Sequence, residues 1–162
     1  MRILGIANDL DAGAALVVDG VLIGCANEER FSRKKLDSRV PRRTIAWLLE
    51  EAGLEAGDID AVCFGWSNGL GLDSPGIRDL TRARAASAAA EEPLARGICA
   101  QRLDTEIKNQ KGNVERFLRS AAEFGWQDRV VMVEHHGAHA AAAFLTSPFD
   151  EALVVTCDGK GD

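Results

Sequence analysis

The chain opens on three short apolar runs separated by polar turns. Arg2–Asn8 carries Ile3, Leu4 and Ile6, and further runs follow at Ala14–Asp19 and Val21–Asn27. Asp9–Gly13 divides the first two. Asp19-Gly20 divides the second and third, a dipeptide suited to a two-residue hairpin turn. The pattern predicts three consecutive antiparallel strands. From Pro41 the period changes. Ile45, Leu48, Leu49 and Ala52 fall on one face of a helix, and Gly53 stands where a helix cap is expected. Ile59–Gly65 has the length and apolarity of a buried strand. Ser67–Pro75 is loop-like, and the Ala/Arg-rich residues 77–104, Arg78–Arg96 in particular, suit a surface helix or a mobile insertion. A second long helix is expected over Asp104–Phe124, with Ile107, Val114, Phe117, Leu118 and Ala121 on one face and Gly125 behind it. A strand at Val130–Val133, a helix at His136–Leu145 ending near Ser147-Pro148, and a final strand at Ala152–Cys157 complete the order.

That order is β-β-β-α-β-α-β-α-β, an α/β fold on a mixed sheet. Three meander strands followed by strand–helix alternation match the ribonuclease-H-like core shared by actin-like ATPases and sugar kinases. Composition is that of a soluble domain: 162 residues, 27% charged and 46% hydrophobic. The formal charge of −6 argues against a general nucleic-acid binder. Small anions stay open, because loops and helix N-termini bind them without net positive charge. No apolar run approaches the ~20 residues of a membrane span. Asp9 and Asp11 interrupt the N-terminus before a signal peptide's apolar region could form. Cys25, Cys63, Cys99 and Cys157 form no CxxC pair, and they suit buried reduced thiols in a cytoplasmic protein. Trp47, Trp66 and Trp126 suit packing better than base stacking.

Four segments carry candidate chemistry. His135-His136-Gly137-Ala138-His139 follows a strand and holds every histidine of the chain. His135 and His139 are four apart, so on a helix both imidazoles share a face, as one metal ion requires. The bland reading is a helix N-terminus where histidines cap or pack. The turn from Asn8 to Gly13, with Asp9 and Asp11, has short residues and a glycine that let backbone N–H groups approach an anion or a hydrated cation; otherwise it is a plain hairpin turn. Asp158-Gly159-Lys160-Gly161-Asp162 sets glycines around a lysine after a strand, which suits phosphate approach, although no Walker loop is present. Glu28–Asp37 is dense in charge. It is either a solvated loop or a source of cations for an anionic substrate. A core strand running straight into a glycine loop at the last residue leads us to expect a longer polypeptide.

These motifs together resemble the O-carbamoyltransferases of the nodulation and antibiotic-biosynthesis type. The matching segments are ILGI…DAGAALVVDGVLIGCANEERFSRKKLDS, PRRTIAWLLEEAGLEAGDIDAV and HHGAHAAAAFLTSPFDEALVVTCDGKGD. The resemblance implies an N-terminal domain of actin-like ATPase fold, similar to the transferase that makes threonylcarbamoyl-adenosine in transfer RNA. On that reading residues 1–162 are its first subdomain, and the second subdomain and an adenylate-forming domain lie outside this sequence. It implies transfer of a carbamoyl group from carbamoyl phosphate, through carbamoyl-adenylate made with ATP, onto a hydroxyl of a sugar or natural-product acceptor. It places a divalent metal, commonly iron, with zinc or manganese as alternatives, on His135 and His139. His136 and Asp11 become candidate catalytic groups. Asp9, Gly13, Asp158, Gly159, Lys160 and Gly161 become candidate contacts to the nucleotide.

The chain departs from the family where histidine usually precedes Asp11 and Asp37, since Leu10 and Leu36 stand there, and where Gly13 replaces a serine. Leucine neither relays a proton nor meets a polar edge. Two other readings compete. A small-molecule kinase of the same fold predicts no HxxxH and a first turn richer in glycine and threonine. A binding module that kept the fold and lost the chemistry is supported by the two leucines. The isolated residues 1–162 are expected to be inactive alone, and exposed apolar strands are expected to favour self-association.

Overall fold

The computed structural model describes residues 1–8, 11–65, 108 and 112–157. Five strands form one sheet: β1 (Arg2–Ala7), β2 (Gly13–Val18), β3 (Val21–Asn27), β4 (Ala61–Phe64) and β5 (Val130–Met132), in the spatial order β3-β2-β1-β4-β5. β1–β2 and β2–β3 are antiparallel, whereas β4 joins β1 and β5 joins β4 in parallel. The expected meander and the mixed sheet are both present. Asp19 (φ 49°) and Gly20 (φ 84°) make the two-residue turn between β2 and β3 that their identities favour.

Helices fill the connections. α1 (Glu29–Ser32) is one turn, and α2 (Arg42–Ala52) follows it. α3 is helical over residues 112–123, and α4 is His135–Leu145. The chain divides into two compact units, Met1–Gly65 with Glu115–Val133, and Trp66–Val114 with Glu134–Asp162. The first holds the sheet. Its interior includes Leu4, Leu16, Ile45, Leu48, Ile59, Val62, Phe64 and Phe117. Phe64 of β4 stacks on Phe117 of α3 with ring centroids 4.3 Å apart. Trp126 is wholly buried, stacks on Phe124, and donates its indole N–H to Ala56 O at 2.7 Å. That bond satisfies the ring's one polar group and ties the segment after α3 to the turn before β4.

Several expectations change. Ala152–Cys157 is not a strand, although its pattern suits one. An apolar run suits a strand, but a ladder also needs a neighbouring edge. Among the described residues none pairs with this segment, leaving Leu153 91% and Val155 79% exposed. Cys25 and Cys157 are exposed thiols and Cys63 is half-buried, so the buried-cysteine reading fails for the first two. On β3, Gly24 lies against Trp47 and Leu48 of α2, so Cys25, the next residue, points away from that helix. Burial raises the Cys63 thiol pKa above its ordinary value. Leu118 is 41% exposed, because the buried stripe of α3 runs through Val114, Phe117 and Ala121. Trp47 is half-buried. Trp66, Cys99, the loop Ser67–Pro75, the Ala/Arg-rich stretch and the start of the expected second long helix lie outside the described residues. Among the described residues, no helix is long and apolar enough to cross a membrane.

Candidate active site

α4 begins one residue earlier than the pattern suggests, at His135, so all three histidines lie in its first turns. Glu134 starts it. Its extended backbone (φ −61°, ψ 138°) and its carboxylate, which accepts from His136 N at 2.9 Å and from Gly137 N, make it the N-cap. Those two backbone N–H groups hold the Glu134 carboxyl below its ordinary pKa. Gly137 keeps the cap close: a Cβ there would meet Glu134 Oε2 at 3.1 Å.

One helical turn brings His135 and His139 together, with Nε2 atoms 3.2 Å apart and ring centroids 4.6 Å apart. Two chemistries suit that contact. One ring can donate an N–H to the other, or both lone pairs can face a single ion. Ligands at a metal–nitrogen distance of about 2.1 Å lie about 3.0 Å apart at a right angle and about 3.4 Å apart in a tetrahedron. The observed separation falls between these, so the pair fits a shared metal ion. His139 is exposed and His135 half-buried. Among the described residues no cluster of three or more His, Cys, Asp or Glu side chains could hold a metal. His136 faces differently. Its Nδ1 lies 2.7 Å from Thr156 Oγ1, so Thr156 orients the imidazole. Thr156 falls in the segment expected to be a strand, and sequence reading gave it no role.

The first turn belongs to the sheet unit. Asp11 is exposed and Asn8 buried, while Asp9 and Leu10 lie outside the described residues. Gly13 sits inside β2, opposite Ala7 on one side and Asn27 on the other. A Cβ at Gly13 would meet Ala26 O at 2.8 Å and Asn27 Oδ1 at 3.0 Å, so a serine would need backbone to move. Glycine here answers strand packing. Asp158, Gly159, Lys160 and Gly161 lie outside the described residues.

The segment Glu28–Asp37 is not simply a solvated loop. Glu28 is 4% exposed. Its carboxylate accepts from Arg43 N (3.2 Å), Thr44 N (2.9 Å) and Thr44 Oγ1 (2.8 Å). It therefore caps α2 from outside the helix, where Pro41 offers no capping side chain. Asp37 is 1% exposed and is gripped by Arg39 through Nε at 2.8 Å and Nη2 at 2.6 Å. That guanidinium, with help from Ser32, holds the Asp37 carboxyl far below the usual carboxylate range. The backbone ties both residues to the first turn: Ala12 N donates to Asp37 O at 3.1 Å, and Glu28 N donates to Ala12 O at 2.7 Å. Leu36 is 62% exposed with φ 52°, a left-handed backbone that histidine adopts more readily than leucine. The cations contribute less. Lys35 and Arg30 both lie against Glu29. Sequence reading missed Glu28 and Asp37 as braces; the nearest local signal is the Asp-x-Arg spacing of Asp37 and Arg39.

A strand leading into a glutamate-capped HHGAH helix, and a braced first turn in the sheet unit, can be compared with known families. The family model described as Carbamoyltransferase N-terminus matches residues 2–162. The chain belongs to this carbamoyltransferase family. Among curated relatives, the uncharacterized protein sll1178 of Synechocystis sp. is 35% identical over 165 aligned positions, which cover 99% of this chain and 26% of that protein. The nodulation protein NolNO of Sinorhizobium fredii is 30% identical over 152 positions, covering 94% of this chain and 20% of that one. This carbamoyltransferase chain thus spans about a quarter and a fifth of those relatives' lengths. A solved structure, an uncharacterized Pseudomonas aeruginosa protein with similarity to peptidase YEAZ, is 20% identical and covers 54% of this chain and 38% of its own. Its TM-score of 0.32 is too low to carry a fold argument.

Proposed function

We propose that this chain is the first subdomain of the N-terminal, actin-like ATPase domain of a longer O-carbamoyltransferase. The enzyme would take its carbamoyl group from carbamoyl phosphate, activate it as carbamoyl-adenylate at the expense of ATP, and deliver it to a hydroxyl of a sugar or natural product. The match to the carbamoyltransferase N-terminus over residues 2–162 carries this reading. The facing imidazoles of His135 and His139 support a place for a divalent metal in it.

His135 and His139 would hold the ion, completed by a carboxylate from beyond residue 162. Iron, zinc and manganese all accept imidazole and carboxylate ligands. When bound, the ion would polarise an oxygen of the carbamoyl or phosphoryl group. The other steps fall to the chain. Glu134 holds the first turn of α4, and so the histidines, in place. His136, oriented by Thr156, would take the acceptor hydroxyl's proton at Nε2, with Nδ1–H donating to Thr156 Oγ1. Asp11, exposed at the first turn, would orient the hydroxyl or the nucleotide, with Asp9 and Gly13 beside it. The loop Asp158-Gly159-Lys160-Gly161 would meet the phosphates. Glu28 and Asp37 would fix the turn through Ala12.

The exposed Val21, Leu22 and Ile23 on β3, at the sheet's edge, support self-association of an isolated piece. The test of function uses the intact protein with carbamoyl phosphate, ATP and a polyol acceptor. A carbamoylated acceptor, absent without ATP, is expected. A phosphorylated acceptor would transfer the chain to the kinase reading. No product with any acceptor, together with retained nucleotide binding, would favour the binding module.

A further inference from the structure

Leu36 is held in a conformation that leucine disfavours. Its φ of 52° lies in the left-handed region, where Cβ crowds the carbonyl oxygen of an L-residue. Burial does not offset that cost, because the residue is 62% exposed. Nor does Leu36 end a helix, since the left-handed cap of α1 is Arg33. The strain is imposed from both sides. Before it, Lys35 Nζ pairs with Glu29 at 2.8 Å, and Leu36 N donates to the same carboxylate at 3.4 Å. After it, Asp37 is gripped by Arg39, and its carbonyl accepts from Ala12 N at 3.1 Å. Backbone strain that the surroundings over-determine in this way clusters at ligand clamps and active sites.

The place of Leu36 in the sheet unit ties it to the first turn. Asp11 immediately precedes Ala12, and Leu36 immediately precedes Asp37, so each stands one residue from an end of the Ala12–Asp37 hydrogen bond. Both are exposed. The run Arg30–Arg39 is otherwise charged or polar except for Phe31, which packs on Trp47 with ring centroids 5.5 Å apart. Leu36 is therefore the apolar group that this run displays. A carboxylate beside an exposed leucine suits a ligand with a hydroxyl next to bare carbon. Further hydroxyls set against Leu36 would lose water without gaining a hydrogen-bond partner. We propose that Leu36 is a specificity-determining residue of the carbamoyl-transfer site. The acceptor it selects is an alcohol whose reacting hydroxyl is flanked by an alkyl or aryl group rather than by more hydroxyls. This rests on the carbamoyl-transfer reading above, with Asp11 orienting the acceptor hydroxyl.

The intact protein is assayed with carbamoyl phosphate, ATP and a matched pair of ring alcohols, cyclohexanol and myo-inositol. The kcat/KM for cyclohexanol is expected to exceed that for myo-inositol by about tenfold or more. Leu36→Asn should remove about tenfold of that preference, through a higher KM for cyclohexanol. Leu36→Met keeps an apolar side chain and should keep the preference. Asparagine adopts the left-handed backbone more readily than leucine, so the thermal melt of Leu36→Asn should equal or exceed the parent's. A leucine with only a structural role would change the melt and leave the ratio of the two alcohols alone. Preference for myo-inositol, a ratio unchanged in Leu36→Asn, or an equal loss with both alcohols would each overturn the inference and leave carbamoyl transfer standing. No carbamoylated product from any acceptor would remove the transfer reading and the inference with it.

Discussion

The sheet unit and the histidine helix follow opposite rules. In the sheet unit the aromatic anchors Phe64, Phe117 and Trp126 are buried, and Glu28 and Asp37 are sunk among hydrogen-bond donors. α4 buries none of its residues, and its fixed contacts are local: the Glu134 cap, the His135–His139 pair and the bond from His136 to Thr156. Stability is concentrated in one region and displayed chemistry in the other. Substitutions should therefore separate cleanly, with activity lost on α4 and stability lost in the sheet.

The largest effect tests the chemical side. His139→Ala in the intact protein should remove the bound metal and lower carbamoyl transfer by at least about 100-fold, since loss of a supporting group alone often costs 10- to 100-fold. Its melting temperature without metal should stay near the parent's. Retained metal by elemental analysis with a normal transfer rate would make the histidines structural.

Next comes the structural side. Trp126→Ala deletes a fully buried ring and removes its hydrogen bond to the Ala56 carbonyl, and should cost about 3–5 kcal/mol in denaturant titration. A cost near that of a surface substitution would break the contrast.

Asp37 sharpens the contrast through pH. Its carboxyl is held far below the ordinary range, chiefly by Arg39, so the folded state binds its proton less readily than the unfolded chain does. Its stabilisation is full above the unfolded value of about 3.9 and is lost as pH falls below that toward the folded value. Asp37→Asn should be less stable at neutral pH and should lose less stability on acidification than the parent. Parallel acid titrations would show that the pair contributes nothing.

The smallest effect belongs to the cap. Glu134→Ala should cost about 1 kcal/mol of local helix stability, read as faster amide exchange at His136 and Gly137. Unchanged exchange at both would mean that the cap is dispensable.

What could be read in advance was whatever depends on neighbours in the chain. The period-two runs, the Asp19-Gly20 turn and the 3.6-residue stripe of α2 are local, and each element formed within a residue or two of its expected limits. The pairing of His135 with His139 was equally legible, because four residues make about one turn of helix. The roles of Glu28 and Asp37 were not. Both sit in a run that looks solvated, and their burial depends on backbone donors at Ala12, Arg39, Arg43 and Thr44.

By itself, the sequence determined the element types, the hairpin and the spacing of the histidines, since backbone sterics and side-chain period act over a few residues. Tertiary structure decided the rest. Among the described residues it denied Ala152–Cys157 a ladder partner, exposed Cys25 on the face of β3 away from α2, and set arginines of α3 beside Arg39 and the first turn of α2. Hydrogen-bond ladders, burial and charge convergence join residues that are distant along the chain. Such pairings are set only when the whole fold closes.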